Sequence, residues 1–157
     1  LVVPQGLVRP LMKLKTLSNS GVSWLEQGAM AEFMDNGAYE RHLRKLRKKC
    51  MAKRDLIVSL LKKHFGSIAL DGLDGGLHLI WHLPPEFGTA KSVAKHMRVK
   101  HNIGFYTTST GGAYSGQTDK PYEQALILGY SSLTLDEIED GIEKLAAELK
   151  QLTGPNA

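Results

Sequence analysis

The sequence predicts an α+β fold, in which helices cover one face of a small β-sheet. Helical periodicity dominates residues 1–65, and short apolar runs bounded by Gly and Pro dominate residues 66–131. A strongly periodic helix then closes the chain. With 157 residues, of which 42% are hydrophobic, the chain is long enough to form a hydrophobic core of its own.

Several short elements precede the longest helix of the chain. In order, they are a strand end at residues 1–3, a helix at 6–17, a polar break at 18–21 and a helix at 22–34. The second helix has apolar residues at Leu25, Ala29, Met30 and Phe33. Asn36 and Gly37 follow it, and both residue types are common where helices end. The start at L-V-V-P, without Met, suggests a piece cut from a longer chain.

A long helix spanning residues 37–64 carries most of the basic charge. Ten basic and two acidic residues between Gly37 and Phe65 give this segment a charge of about +8, whereas the whole chain is only +4. Its apolar residues are spaced mostly three or four apart, at Tyr39, Leu43, Leu46, Cys50, Ile57 and Leu61. This spacing predicts one face packed on a core and a solvated basic surface around it.

The alternative for this helix is a contact with nucleic acid, since Lys and Arg neutralise phosphates. Between Arg41 and Arg54 there is no Asn, Gln, Ser or Thr to contact base edges, and no heptad zipper follows. We therefore favour the solvated face. The single cysteine, Cys50, excludes an internal disulfide, fits a reducing compartment and lies on the predicted apolar face.

The second half of the chain alternates strands and helices. We predict strands at residues 67–70, 77–83, 103–107 and 125–131, a polar loop at 109–121, a helix from Thr89 to Lys100 and a last helix ending at 154–155. Val93 and Met97 should face inward on the first of these helices. Thr134 and Glu137 form a capping box at the start of the last, whose inward residues are Ile138, Ile142, Leu145 and Leu149.

Composition and spacing alone do not indicate a catalytic or metal site. His78 and His82 lie four residues apart in a strand, about 13 Å at roughly 3.3 Å per residue, which is too far for two ligands of one zinc ion. Residues 111–118 nearly match a phosphate-binding loop, but Gln117 stands where that motif needs Lys, and Pro121 follows where a helix should begin. No catalytic nucleophile is evident.

Five segments together resemble the C-terminal part of MocR-type regulators of the GntR superfamily. They are W-L-E-Q-G-A-M-A-E-F-M at 24–34, G-A-Y-E-R-H-L-R-K-L-R at 37–47, K-R-D-L at 53–56, L-D-G-L-D-G-G-L-H-L at 70–79 and L-I-L-G-Y-S-S-L-T-L-D-E-I-E-D-G-I at 126–142. Such proteins join an N-terminal winged helix-turn-helix to a domain like a fold-type-I aminotransferase. The resemblance implies the small C-terminal domain of that fold, preceded by a long linking helix.

The resemblance also implies what the intact parent protein would contain. It would bind pyridoxal 5′-phosphate on a lysine upstream of this chain, form a homodimer in the cytoplasm and contact DNA through its winged helix. A small-molecule effector is a further implied partner, and no membrane is. Without the lysine, this fragment is expected to hold no cofactor firmly and to have no catalytic residue.

By the same resemblance, a possible ligand pocket includes Gly75, Gly76, Leu77, His78 and Ile127. Catalytic aminotransferases usually have an Arg in the strand pattern R-[IL]-[GSC]-[FY], where its guanidinium binds the substrate carboxylate. Here the strand is I-L-G-Y, and Ile127 occupies that position. Ile cannot bind a carboxylate, which favours a regulator over the alternative, a C-terminal fragment of a working aminotransferase.

The predicted organisation has two parts within one fragment. Residues 1–65 comprise the N-terminal helices, including the long basic linking helix, and residues 66–157 form the small α+β domain.

Overall fold

A computed structural model describes residues 2–19, 23–108 and 124–152. Their elements are α1 (Gln5–Asn19), α2 (Trp24–Asp35), α3 (Ala38–Phe65), β1 (Ala69–Asp71), β2 (His78–His82), a short 3₁₀ turn (Pro85–Phe87), α4 (Ala90–His101), β3 (Tyr106–Thr107), β4 (Ala125–Gly129) and α5 (Leu135–Leu152). All five predicted helices are confirmed. The predicted loop at 109–121 and the predicted helix end at 154–155 lie outside the described residues.

The strand end predicted at residues 1–3 is wrong for Val2 and Val3. Both lie in irregular backbone directly before α1. Their β-branched side chains favour extended backbone, but a strand also needs a neighbouring strand to hydrogen-bond with. The four-stranded sheet of the described residues does not include this segment.

The chain divides into two compact units, residues 1–45 and residues 46–157. The boundary falls within α3, so this helix begins in one unit and ends in the other. The division predicted after residue 65 instead assigns the whole of α3 to the first part, and it stays a prediction.

The first unit contains α1, α2 and the first turns of α3. Ser23 caps α2 by accepting a hydrogen bond from the backbone N–H of Glu26, and the ring of Phe33 lies edge-on to that of Tyr39, with centroids 5.9 Å apart. No described residue of α1 or α2 is buried. Large apolar side chains are exposed on both helices: Leu7, Met12, Leu14, Leu17, Trp24, Leu25 and Met34.

The second unit is built on an antiparallel sheet with the strand order β1-β2-β4-β3. In the central pair, Leu79 lies opposite Leu128 and Trp81 lies opposite Leu126. All four side chains are buried on the same face of the sheet. Short outer strands complete the sheet on either side of this pair.

Helices α4 and α5 and the second half of α3 cover that face. The core includes every position that was predicted to face inward from residue 50 onward: Cys50, Ile57, Leu61, Val93, Met97, Ile138, Ile142, Leu145 and Leu149. The predicted α+β fold with helices on one face of a small sheet is therefore confirmed. The apolar stripe of α3 is covered only in part, because Leu43 and Leu46 are 42% and 40% exposed.

Both predicted helix starts in the second unit are confirmed. Thr89 accepts a hydrogen bond from the N–H of Ser92 at the start of α4. At the start of α5, the N–H of Glu137 donates to Thr134 Oγ1 over 3.2 Å, and the N–H of Thr134 donates to Glu137 Oε2 over 2.7 Å. These reciprocal bonds are those of a capping box, and they fix where α5 begins.

We expect the two units to respond differently to loss of a leucine side chain. Leu149→Ala should lower the free energy of unfolding by about 2–5 kcal/mol, because Leu149 is fully buried and its truncation leaves a cavity. The matched change Leu17→Ala, at an 84% exposed position, should alter it by no more than about 0.5 kcal/mol. Urea titration followed by circular dichroism measures both, and equal effects would contradict this packing.

Candidate functional site

The predicted ligand residues Gly75, Gly76, Leu77 and His78 lie at the turn between β1 and β2. Tyr130 holds this turn against the end of β4. Its N–H donates to the carbonyl of Leu77 over 3.2 Å, and its hydroxyl donates to the carbonyl of Gly76 over 3.1 Å. Gly76 has a φ of +98°, a conformation that strongly favours glycine. The turn therefore has a defined shape, and burial raises the pKa of the Tyr130 hydroxyl that supports it.

Strand alternation brings His78 and Ile127 to the same face of the sheet. His78 lies opposite Gly129, and Ile80 lies opposite Ile127, so these side chains project away from the helical core. Tyr106 of β3 flanks Ile127 from the other side. We call this surface the outer face of the sheet. The structure thus places His78 and Ile127 on one face of the sheet, and the turn formed by Gly75, Gly76 and Leu77 directly precedes His78.

This surface is open in the isolated chain. The residues Gly75, Gly76, Leu77 and His78 are exposed, and Ile127 is half-buried. None of the five carries an amine, a carboxylate or a guanidinium, so by themselves they do not fit pyridoxal phosphate, which needs a lysine and an anion-binding group. Their role in ligand binding stays a prediction.

The outer face also carries a polar pair that sequence patterns did not reveal. His82 Nε2 and Asp71 Oδ2 are 2.7 Å apart, across β1 and β2. The pair depends on the register that sets Asp71 opposite Ile80, and such a register is not visible in residue types alone. Among the residues that the structure describes, no group of three His, Cys, Asp or Glu side chains is arranged to hold a metal ion.

A second polar cluster joins α4 to α5. The buried carboxylate of Glu148 accepts hydrogen bonds from Lys100 Nζ over 2.8 Å, from His96 Nε2 over 2.7 Å and from His101 Nε2 over 2.9 Å. These bonds, that from Lys100 above all, lower the pKa of Glu148 to about 2. The donors lie some 50 residues from Glu148 in sequence, so helical spacing could not indicate the cluster. Its place between two helices indicates a structural role.

Two of the basic side chains of α3 make contacts within the second unit. Lys53 Nζ donates to the carbonyl of Ser131 over 2.9 Å, and Arg54 donates to the carbonyl of Leu73 over 2.7 Å. Arg54 thereby links the helix to the turn that precedes the predicted pocket. Lys53 and Arg54 therefore hold loops in position in addition to facing solvent.

No family model matches the chain. Three curated relatives align with nearly all of it. YdeL and YisV of Bacillus subtilis, both uncharacterised HTH-type transcriptional regulators, are 24% and 28% identical over 96% and 95% of the chain. The probable rhizopine catabolism regulatory protein MocR of Rhizobium meliloti is 23% identical over 100% of it.

The chain is a homologue of HTH-type regulators, MocR among them. It spans only about 30% of the length of these relatives, at 31%, 29% and 31% respectively. The predicted resemblance to MocR-type proteins is confirmed over nearly the whole chain.

Solved structures with the same fold include aminotransferases. An archaeal alanine:glyoxylate aminotransferase superposes with a TM-score of 0.80 and 20% identity, covering 96% of this chain and 36% of that one. An aromatic aminotransferase from Pyrococcus horikoshii OT3 gives a TM-score of 0.80 and 15% identity, with coverages of 96% and 38%. The predicted aminotransferase-like fold is thereby confirmed.

Acid should weaken the contact between α4 and α5. The pKa of Glu148 is about 2 in the folded chain and near 4.5 in the unfolded one, so the unfolded state binds more protons between these values. The stability that Glu148 contributes is therefore complete above pH 4.5 and is lost as the pH falls toward 2. Chemical denaturation at several pH values measures this.

The matched comparison is Glu148→Gln against Glu143→Gln, a change at an exposed position of the same helix. Glu148→Gln should lower the free energy of unfolding at neutral pH, and this free energy should then change less between pH 4.5 and 2 than it does in the wild type. Glu143→Gln should leave the pH dependence of the free energy of unfolding close to that of the wild type. If the free energy of unfolding changed with pH in both variants as it does in the wild type, the Glu148 cluster would not be the acid-sensitive contact.

Proposed function

We propose that this chain belongs to the aminotransferase-like, effector-binding domain of a bacterial DNA-binding transcriptional regulator. One observation carries the proposal: the same residues are similar in sequence to transcriptional regulators and similar in fold to aminotransferases. An enzyme fold kept in regulators is suited to bind a metabolite without having to turn it over. The metabolite then acts by favouring one of two conformations of the parent protein.

The character of the outer face supports binding over transamination. Ile127 lies between Ile80 and Tyr106, so an aliphatic side chain and an aromatic ring flank the position where aminotransferases usually present an Arg. No guanidinium stands there to form the bidentate contact with a substrate carboxylate. We propose that Gly75, Gly76, Leu77 and His78 form the approach to the effector and that Ile127 faces its far end.

The remaining parts of the proposal concern the intact parent protein. We propose that it holds pyridoxal 5′-phosphate through a lysine outside this chain, forms a homodimer in the cytoplasm and contacts DNA through a winged helix. The exposed apolar side chains of α1 and α2 are consistent with a larger assembly, because monomeric proteins seldom leave so many uncovered. In the described part of the chain, no helix is both long and apolar enough to cross a membrane.

A second candidate function is catalysis by an aminotransferase that contains this chain. The fold favours it, since several solved structures that superpose are aminotransferases. In that case another cationic group would have to bind the substrate carboxylate in place of Ile127. The two candidates predict opposite outcomes in the parent protein.

The test uses the full-length protein that contains this chain, loaded with pyridoxal phosphate. We expect its affinity for its promoter DNA, measured by fluorescence anisotropy, to change at least about fivefold with the effector, the lower end of ordinary allosteric coupling. Common α-amino acids should not convert the bound cofactor to its amine form, as followed by absorbance. Rapid conversion of the cofactor by amino acids, together with no DNA binding, would instead show that the parent protein is an aminotransferase.

Ile127→Arg tests the carboxylate end of the site separately. The substitution should tighten binding of an α-amino acid to the full-length protein by about tenfold, because a guanidinium forms charge-assisted hydrogen bonds with a carboxylate. The control Ile127→Leu should leave that affinity unchanged. Calorimetry measures both, and an unchanged affinity in the Arg variant would show that Ile127 does not face the ligand carboxylate.

A further inference from the structure

A cleft of about 310 Å³ lies on the helical side of the sheet, within the second unit. It opens between the segment that follows α4, the end of β4 and the first turns of α5. Leu128 lines it, and the side chain of Leu128 projects to the face opposite Ile127. The cleft is therefore separate from the outer face, where the proposed effector residues lie.

One glycine of α5 leaves space at this cleft. Gly141 lines the cleft, and a Cβ added at this position would meet no atom within 4 Å. Gly141 is in the interior of α5, where glycine is less favourable than alanine, and its backbone is not among those with positive φ. Neither a clash nor backbone geometry requires glycine there. Because Gly141 lines the cleft, we expect a larger side chain there to occupy part of it.

The walls of the cleft are apolar and its rim is acidic. Ile57, Leu128, Ile138 and Ile142 line it with side chains that are at least 96% buried. Glu137 and Asp140 are its ionisable lining groups among the described residues, and both are carboxyl groups on the first turns of α5. One guanidinium lies nearby, because Arg98 Nη2 is 3.4 Å from where a Cβ of the lining residue Gly104 would stand, so the two carboxylates outnumber it. An occupant should therefore combine an apolar body with a positive charge.

The carboxylates have capacity for a further donor. Glu137 accepts two hydrogen bonds from Thr134 through Oε2 alone, and these bonds lower the pKa of Glu137 and keep it ionised. Asp140 pairs with Lys144 over 2.6 Å, but both side chains are exposed, and such surface pairs exchange readily. Lys53, which also favours the ionised Glu137, is itself bonded to the carbonyl of Ser131.

We propose that this cleft binds a small organic amine, with its apolar body against the walls and its ammonium group between Glu137 and Asp140. The volume lies at the lower end of the range for small-molecule sites, which suits a ligand of about ten non-hydrogen atoms. The proposal does not depend on the function of the parent protein, because the site lies within the second unit.

The experiment titrates the 157-residue chain with 2-phenylethylamine and with the neutral analogue 2-phenylethanol, monitored by ¹H–¹⁵N correlation spectra. We expect saturable shifts at residues that line the cleft, with a dissociation constant of about 1 mM for the amine, as its size allows. The alcohol should bind about tenfold more weakly, because a hydrogen bond to a charged group is worth more than a neutral one. Equal affinity for both would overturn the proposal.

Variants identify the groups responsible. Glu137→Gln combined with Asp140→Asn removes both charges, while Gln can still complete the capping box with Thr134. The double variant should bind the amine about tenfold more weakly and the alcohol unchanged. Glu143→Gln, on the same helix outside the cleft, should bind both as wild type does.

Gly141→Leu tests the space itself. It should weaken the binding of both the amine and the alcohol, and it should leave the helix content, measured by circular dichroism, unchanged. No saturable shift below about 10 mM, or full amine affinity in the doubly neutral variant, would overturn the proposal.

Discussion

The structure depends on the burial of one face of a thin sheet. A sheet of four short strands is not stable without a partner layer, and α3, α4 and α5 supply it. Leu79, Trp81, Leu126 and Leu128 all project into this layer. Because side chains alternate along a strand, the burial of these four side chains places His78, Ile80 and Ile127 on the opposite face. A one-residue change in register would exchange core residues for the residues of the proposed effector site.

Helix α3 experiences two environments along one continuous apolar stripe. From Cys50 onward the stripe is part of the core, whereas Leu43 and Leu46 are substantially exposed. The exposed apolar residues of α1 and α2 extend this pattern over the first unit. Exposed apolar surface of this extent commonly marks a contact with another part of a protein or with a partner. The basic residues serve locally as well, as Lys53 and Arg54 show by their bonds to loop carbonyls.

The sequence predicted most of the fold, because the fold rests on short-range rules. Helical period located the inward residues of α5, and the Thr134–Glu137 spacing located its start. The prediction of a strand at residues 1–3 was wrong because a strand needs a neighbouring strand to pair with, and residue types alone do not show whether one is present. The Glu148 cluster and the His82–Asp71 pair could not be predicted, since each joins groups whose proximity depends on tertiary packing. For the proposed effector site, the motif located the turn and Ile127, but the face that His78 and Ile127 share became visible only with the register.

Amide hydrogen exchange on the 157-residue chain tests the central claim most directly. If the core is confined to the second unit, then β2, β4, α5 and α3 from Cys50 onward should exchange slowest, near the rate of global unfolding. Helices α1 and α2, which bury no described residue, should exchange through local opening and far faster. Protection of α1 and α2 equal to that of α5 would contradict this account, because it would mean that the first unit has a core of its own.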